Sequence, residues 1–345
     1  MTIVSNKVEE ITRKNWIDWM KVIGITAVVW GHFFPEGMSD FIYAFNVPVF
    51  FVISGYLTKE NRGMRENAKK VAVGLAVPYI LLALLKVAGF VFKHITDGKA
   101  LWSLLYVVTG VHDYNGISGC NNLWFVYTLI IIKLFFPIIR KQRILIAVLA
   151  VVSLVCGKLY SDLDVDIPWA VPDVMLAFPF FALGYLIRVH NPKSNVQKNY
   201  NRHSILLSAI GVILLVAITY FASSYNGEVH LFSGHYGNNI FLFVLAALSG
   251  TAMVYLLSKF LDSVRWHGLR IISSGTIVIL TFHREFIHPL SKLFDKLDMS
   301  LIMQNVAIFL SSVVIVLVFI PIIMLLERYA PILLGERKSG LSKLT

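Results

Sequence analysis

Asp18, Lys21, His32 and His283 sit inside apolar runs of this sequence, where charge is costly. The first three belong to WIDWMKVIGITAVVWGH (16–32); His283 closes ILTFH (279–283), with Arg284 and Glu285 directly behind it. Imidazole, with an unperturbed pKa of about 6.5, can take a proton from a hydroxyl at neutral pH and return it to a leaving group. On a helix that advances about 100° per residue, Lys21 and His32 fall within roughly 20° of each other, and Asp18 lies about 40° to the other side of His32. One stripe therefore carries all three, with Lys21 roughly 16 Å below His32 at about 1.5 Å of rise per residue. Ionisable groups on an intramembrane stripe face a protein interior or a wet cavity, where they bind or move something.

The elements that position these residues must be membrane helices. Of 345 residues, 57% are hydrophobic and only 15% charged, whereas soluble domains carry about 25% charged residues. Runs long enough for a hydrocarbon core of about 30 Å occur at roughly 17–34, 41–58, 71–92, 123–139, 144–160, 169–188, 204–222, 239–259, 271–289 and 303–326. Lipid satisfies no backbone polar group, so the expectation is an all-α polytopic bundle of about ten transmembrane helices. It reads as one domain over 1–345, with the bundle at 17–326 and a cytoplasmic tail at 327–345. The first run is too long for a signal peptide, lacks a small-residue cleavage site and leads directly into a second run, so it reads as retained.

The net charge of +11 is distributed by topology. Lysines and arginines crowd alternate connections, at 59–70, 140–143, 188–202, 259–270 and 328–343, while the opposite connections carry Lys93, Lys99, Lys292 and Lys296. The positive-inside rule then puts both termini in the cytoplasm, and the basicity needs no nucleic-acid partner. Span one runs outward, so Lys21 lies near the cytoplasmic mouth and His32 towards the outer side, at the depth expected for His283.

Several chemistries drop out. Cys120 and Cys156 support neither a disulfide framework nor a thiolate site. Asp162, Asp164 and Asp166 alternate as in a calcium loop, but Ile167 replaces the turn glycine and the closing glutamate is missing, so no metal is expected. There is no glycine-rich phosphate loop, GxSxG elbow or HExxH helix. A histidine base reached from both sides of a membrane remains, and the residues alone leave two readings open: group transfer, or a transporter or flippase for a lipid-linked glycan or anionic solute. Arg284 and Glu285 form either a compensated pair or part of an acceptor site. Asn226 and Tyr236, in the aromatic and amide-rich external segment 222–238, suit either sugar binding or an interfacial belt. The stretch 101–111 is interfacial or re-entrant, being too short to span.

WIDWMKVIGITAVVWGH, FNVPVFFVISGYL (45–57), LAVPY (75–79), NNLWFVYTL (121–129), FFALGYL (180–186) and ILTFH together resemble the membrane-bound acyltransferase-3 family, over most of the chain. Within it the sequence looks most like bacterial sugar O-acetyltransferases of the fucose 4-O-acetylase-like kind. The resemblance implies acetyl transfer from cytoplasmic acetyl-CoA to a hydroxyl of a cell-surface or lipid-linked glycan in a bacterial inner membrane. It makes His32 the catalytic histidine, acting as a base or acylated first, and Lys21 its basic partner. The arginine pair that many members carry before the Pro-Tyr matched by Pro78 and Tyr79 is replaced by Val71 and Gly74, leaving Lys69 and Lys70 to join Lys21 in donor binding. Arg284, Glu285, Asn226 and Tyr236 are the acceptor-side candidates.

Overall fold

A computed structural model describes residues 14–111, 114–161, 170–190, 202–229, 231 and 234–335. The aspartates of 162–166, most of the connection 161–168 and the last residues of the expected tail, 336–345, lie outside the described residues. Among the described residues twelve helices follow in order: α1 Asn15–Gly31, α2 Ser39–Tyr56, α3 Met64–Lys93, α4 Lys99–Thr109, α5 Trp124–Phe135, α6 Arg143–Ser161, α7 Val171–His190, α8 Arg202–Asn226, α9 Ile240–Phe260, α10 His267–Ser274, α11 Thr276–Phe294 and α12 Leu301–Tyr329. Among the described residues no strand forms, and the chain is an all-α helical membrane bundle.

Among the described residues six helices, α3, α6, α7, α8, α9 and α12, are long and apolar enough to cross a membrane by length and composition. The other expected spans correspond to α1, α2, α5 and α11, which are shorter or more polar because they build the interior. The apolar windows of α6 and α8 are 11% and 17% buried, against 44% for α7 and α9. So α6 and α8 turn their leucines and valines outward, as lipid allows.

At the centre, α2 crosses α7 at backbone contact. A methyl added at Gly55 of FFVISGYL would overlap the carbonyl of Phe181, and one at Gly184 of FFALGYL would overlap that of Val52. Two of the quoted motifs thus meet each other, and their glycines permit the close approach that small residues provide between membrane helices. Aromatic rings fill in around the crossing, with Phe136 4.9 Å from Phe181 and 4.7 Å from Tyr185.

Three boundaries differ from the sequence expectation. Helix α3 begins at Met64, inside the basic segment, because MRENAKK is itself helical; Asn67 there donates to the carbonyl of Lys133 at 2.8 Å. A π-helical turn at Ala72–Ala76 then joins it to the apolar part. The span placed at 271–289 is interrupted at Gly275, where a side chain would overlap Ile323; α10 and α11 are separate helices. Beyond 327, α12 runs on to Tyr329, and a 3-10 turn Pro331–Leu334 packs back with Leu334 buried and Gly335 tight against the carbonyl of Gly74. The stretch 101–111 becomes α4, bounded by Gly98 and Gly110 at φ 77° and 72° and tied to α3 by the Tyr79 hydroxyl on the Val107 carbonyl at 2.6 Å. Its 11 residues cover only about 17 Å, too little to span.

One end of the bundle carries a belt of Trp16, Tyr56 and Tyr255, with Trp16 5.3 and 5.4 Å from the other two rings. Lys14, Lys259 and Arg188 lie over these rings. Aromatic rings with cations mark a membrane interface, and this is the end that the charge pattern assigns to the cytoplasm.

Candidate active site

Lys21, Ile25, Val28 and His32, spaced four, three and four apart, all line one cavity of about 510 Å³. That is the i, i+4, i+7, i+11 row of a helix face, so the stripe read from the sequence is a cavity wall. Asp18 leaves it. Its carboxylate is buried against α10 and accepts from Ser273 Oγ at 2.5 Å. The break at Gly275 makes this possible, since it aims Ser273 at Asp18 while Thr276 and Ile277 line the cavity.

Helix α1 ends at Gly31 and His32 is its C-cap. Its Nδ1 lies 2.8 Å from the carbonyl of Val28; a carbonyl only accepts, so Nδ1 is the donor and Nε2 keeps the lone pair of a base. His283 repeats the arrangement on α11, with Nδ1 2.9 Å from the carbonyl of Ile279. The two rings meet edge to face, centroids 4.6 Å apart at 76°. They differ in access. His32 lines the cavity, whereas His283 is fully buried behind it and its Nε2 has no hydrogen-bond partner. Of the two imidazoles, His32 is therefore the one open to a molecule in the cavity.

Past His32 the wall continues through Phe34, Tyr43, Asn46, Asn122, Trp124 and Arg284. Arg284 faces the cavity while its neighbour Glu285 turns outward and pairs with Lys86 of α3. Asn226 and Tyr236 do not line this cavity. Asn226 is fully buried, donating Nδ2 to the Tyr236 carbonyl at 2.6 Å and accepting from the Asn239 backbone at 2.8 Å. Tyr236 is buried 5.3 Å from Phe243. Between them they shape the connection so that Val229 and Leu231 reach the cavity instead.

In the opposite direction, beyond Lys21, the cavity adjoins a second chamber of about 250 Å³, with Ser54, Leu57, Leu75 and Leu129 common to both. Arg62, Lys70, Lys133 and Arg140 line this chamber, and no carboxylate does. Lys133 sits over the Phe181 ring, 6.0 Å from its centroid, and the charges of Lys70, Arg62 and Lys21 all act on it. Arg140 is 8% exposed with Nε lacking a partner. Arg62 also pairs with Glu66 at 3.3 Å, but that carboxylate stays off the chamber wall, so the lining itself is positive and suits an anion. Of the two lysines singled out from the sequence, Lys70 lines the chamber and Lys69 is exposed and lines neither cavity. From the sequence Arg140 reads as a topological charge, while Arg62 belongs to the basic segment 59–70, which suits both a topology determinant and a mouth for a polyphosphate; Lys133 was missed although a lone lysine in LIIIKLFF (129–136) is itself a signal. The open turn of the π-helical segment is part of the chamber, with Gly74 and Leu75 on its wall.

The bundle thus encloses a cavity with a histidine on its wall, a cation-lined chamber at one end and aromatic and polar groups at the other. A family model described as an acyltransferase domain matches residues 14–325, and the chain belongs to this acyltransferase-3 family. It is an integral membrane acyltransferase, which sets aside the transporter reading. No curated protein and no solved structure matched the chain.

Proposed function

We propose that the protein moves an acetyl group from acetyl-CoA to a hydroxyl of a cell-surface or lipid-linked glycan, such as O-antigen, capsule or exopolysaccharide, in a bacterial inner membrane. In this reading the coenzyme's phosphates rest among Arg62, Lys70, Lys133 and Arg140. Its pantetheine arm follows the Lys21–His32 stripe, roughly 16 Å by helical rise, and brings the thioester to His32. The acceptor enters from the opposite end. His32 Nε2 takes the hydroxyl proton as oxygen attacks the thioester carbonyl; the C–S bond breaks and the thiolate leaves, to be protonated by the imidazolium. Thioester, hydroxyl and base must meet within hydrogen-bond reach, and the cavity provides one place for that.

The observation that carries this reading is that Lys21 and His32 lie on one cavity wall adjoining a chamber lined by four cations and no acid. Transfer of labelled acetyl from acetyl-CoA to envelope glycan tests it, comparing wild type with His32→Gln and His32→Ala. Glutamine keeps size and hydrogen bonding but cannot cycle a proton, so both variants should lose about 10² to 10⁴ in rate while still inserting. A glutamine variant that transfers at the wild-type rate would make His32 a packing residue.

A further inference from the structure

Phe34 combines three features that packing does not explain. It follows His32 by two residues, its φ is +52°, and its ring is 56% exposed while lining the cavity. The left-handed region is costly for any side chain, and the residue before a proline, here Pro35, is normally pushed to extended backbone. Burial does not offset this, because the neighbouring Phe33 fills the core position, 9% exposed and 6.2 Å from Phe294. The turn nevertheless holds Phe34 firmly: its N–H donates to Gly31 at 2.9 Å, Ser39 Oγ to the Pro35 carbonyl at 2.9 Å, and Asn305 Nδ2 to the Glu36 carbonyl at 3.0 Å. A strained residue kept in place by its surroundings, beside the base, points to use in binding.

The ring leads back to the base. Phe34 is 6.0 Å from Tyr43 at 32°, and Tyr43 is 6.3 Å from His32. The opposite charges of Arg284 and Glu228 both act on Tyr43. An apolar ring face beside a phenol, with a cation and a carboxylate close enough to act on that phenol, suits a pyranose, which has an apolar C–H face and a rim of hydroxyls.

We infer that Phe34 and Tyr43 form a stacking platform for the acceptor's sugar ring, which presents one ring hydroxyl to His32. This rests on the glycan-acetylation reading above and adds the subsite that binds the sugar. The probe is envelope glycan released from the producing cells and fluorescently labelled, titrated against full-length protein in detergent, with acetyl transfer measured on the same preparations. Phe34→Gly removes the ring and relieves the backbone, so its melting temperature should not fall; Phe34→Trp keeps a stacking face. Glycan affinity should drop about tenfold in the glycine variant and stay within about threefold of wild type in the tryptophan variant, with the donor KM unchanged in both. Unchanged glycan affinity in Phe34→Gly would make the ring a lipid-interface anchor and overturn the platform, as would a wild type that does not bind the glycan. A parallel loss of donor KM, or a lowered melting temperature, would equally overturn it in favour of a structural role. If wild type binds glycan through Phe34 yet transfers no acetyl, the platform stands and the transfer reading fails. If acetyl moves and Phe34→Gly is indistinguishable from wild type, the reverse holds.

Discussion

Replacing Lys133 by methionine tests whether the chamber is built for an anion or is a structural accident. Methionine matches the aliphatic stem of lysine in length and adapts to irregular apolar space, so the change removes a charge with little loss of packing. A phosphate about 4 Å from the ammonium at an effective dielectric of about 20 is attracted by about 4 kcal/mol. Desolvation takes back part of that, and a hydrogen bond to a charged group nets about 1.5–3 kcal/mol. Acetyl-CoA affinity should therefore fall by about 10- to 150-fold, with kcat at saturating donor nearly unchanged. Stability should move the other way. In the donor-free protein Lys133 is surrounded by the like charges of Lys70, Arg62 and Lys21, so its removal relieves repulsion and the melting temperature should hold or rise. Titration calorimetry with CoA, donor-dependent kinetics and thermal unfolding in detergent read these quantities separately. CoA binding within about threefold of wild type would refute the reasoning, and so would a lowered melting temperature with kcat and KM lost together.

At the α2–α7 crossing, Gly184→Leu should destabilise the bundle by at least the about 1–3 kcal/mol typical of overpacking, whereas Gly89→Leu, where the added carbon meets no atom within 4 Å, should not. Equal melting temperatures for the two would show that the close crossing is unimportant. For topology, a cysteine at Gln142 should be shielded from an impermeant reagent on intact cells and one at Tyr225 labelled; the opposite pattern would invert the bundle and put the polycation chamber outside.

Lysine and arginine charge is strongly biased to one set of connections, and a helix repeats every 3.6 residues, so the sequence by itself determined the helical membrane class and the angular relation of Lys21 to His32. Both are local properties: composition sets the solvent a segment prefers, and periodicity fixes each residue's direction about its own helix axis. Neither says how one helix is turned against another or which connections fold together. Asp18, about 40° from His32 on the same helix, belongs to the contact with Ser273 instead of the cavity, because a break at Gly275 that looks minor in sequence redirects α10. Glu285 leaves Arg284 for Lys86, and Asn226 and Tyr236 spend their polar and aromatic capacity on holding their own loop. Arg62, Lys133 and Arg140, scattered over almost eighty positions of the chain, become one chamber, and His283 comes to lie 4.6 Å from His32. Those placements depend on non-local packing, foremost the backbone-close crossing that Gly55 and Gly184 allow between α2 and α7, and so only the tertiary structure decides them.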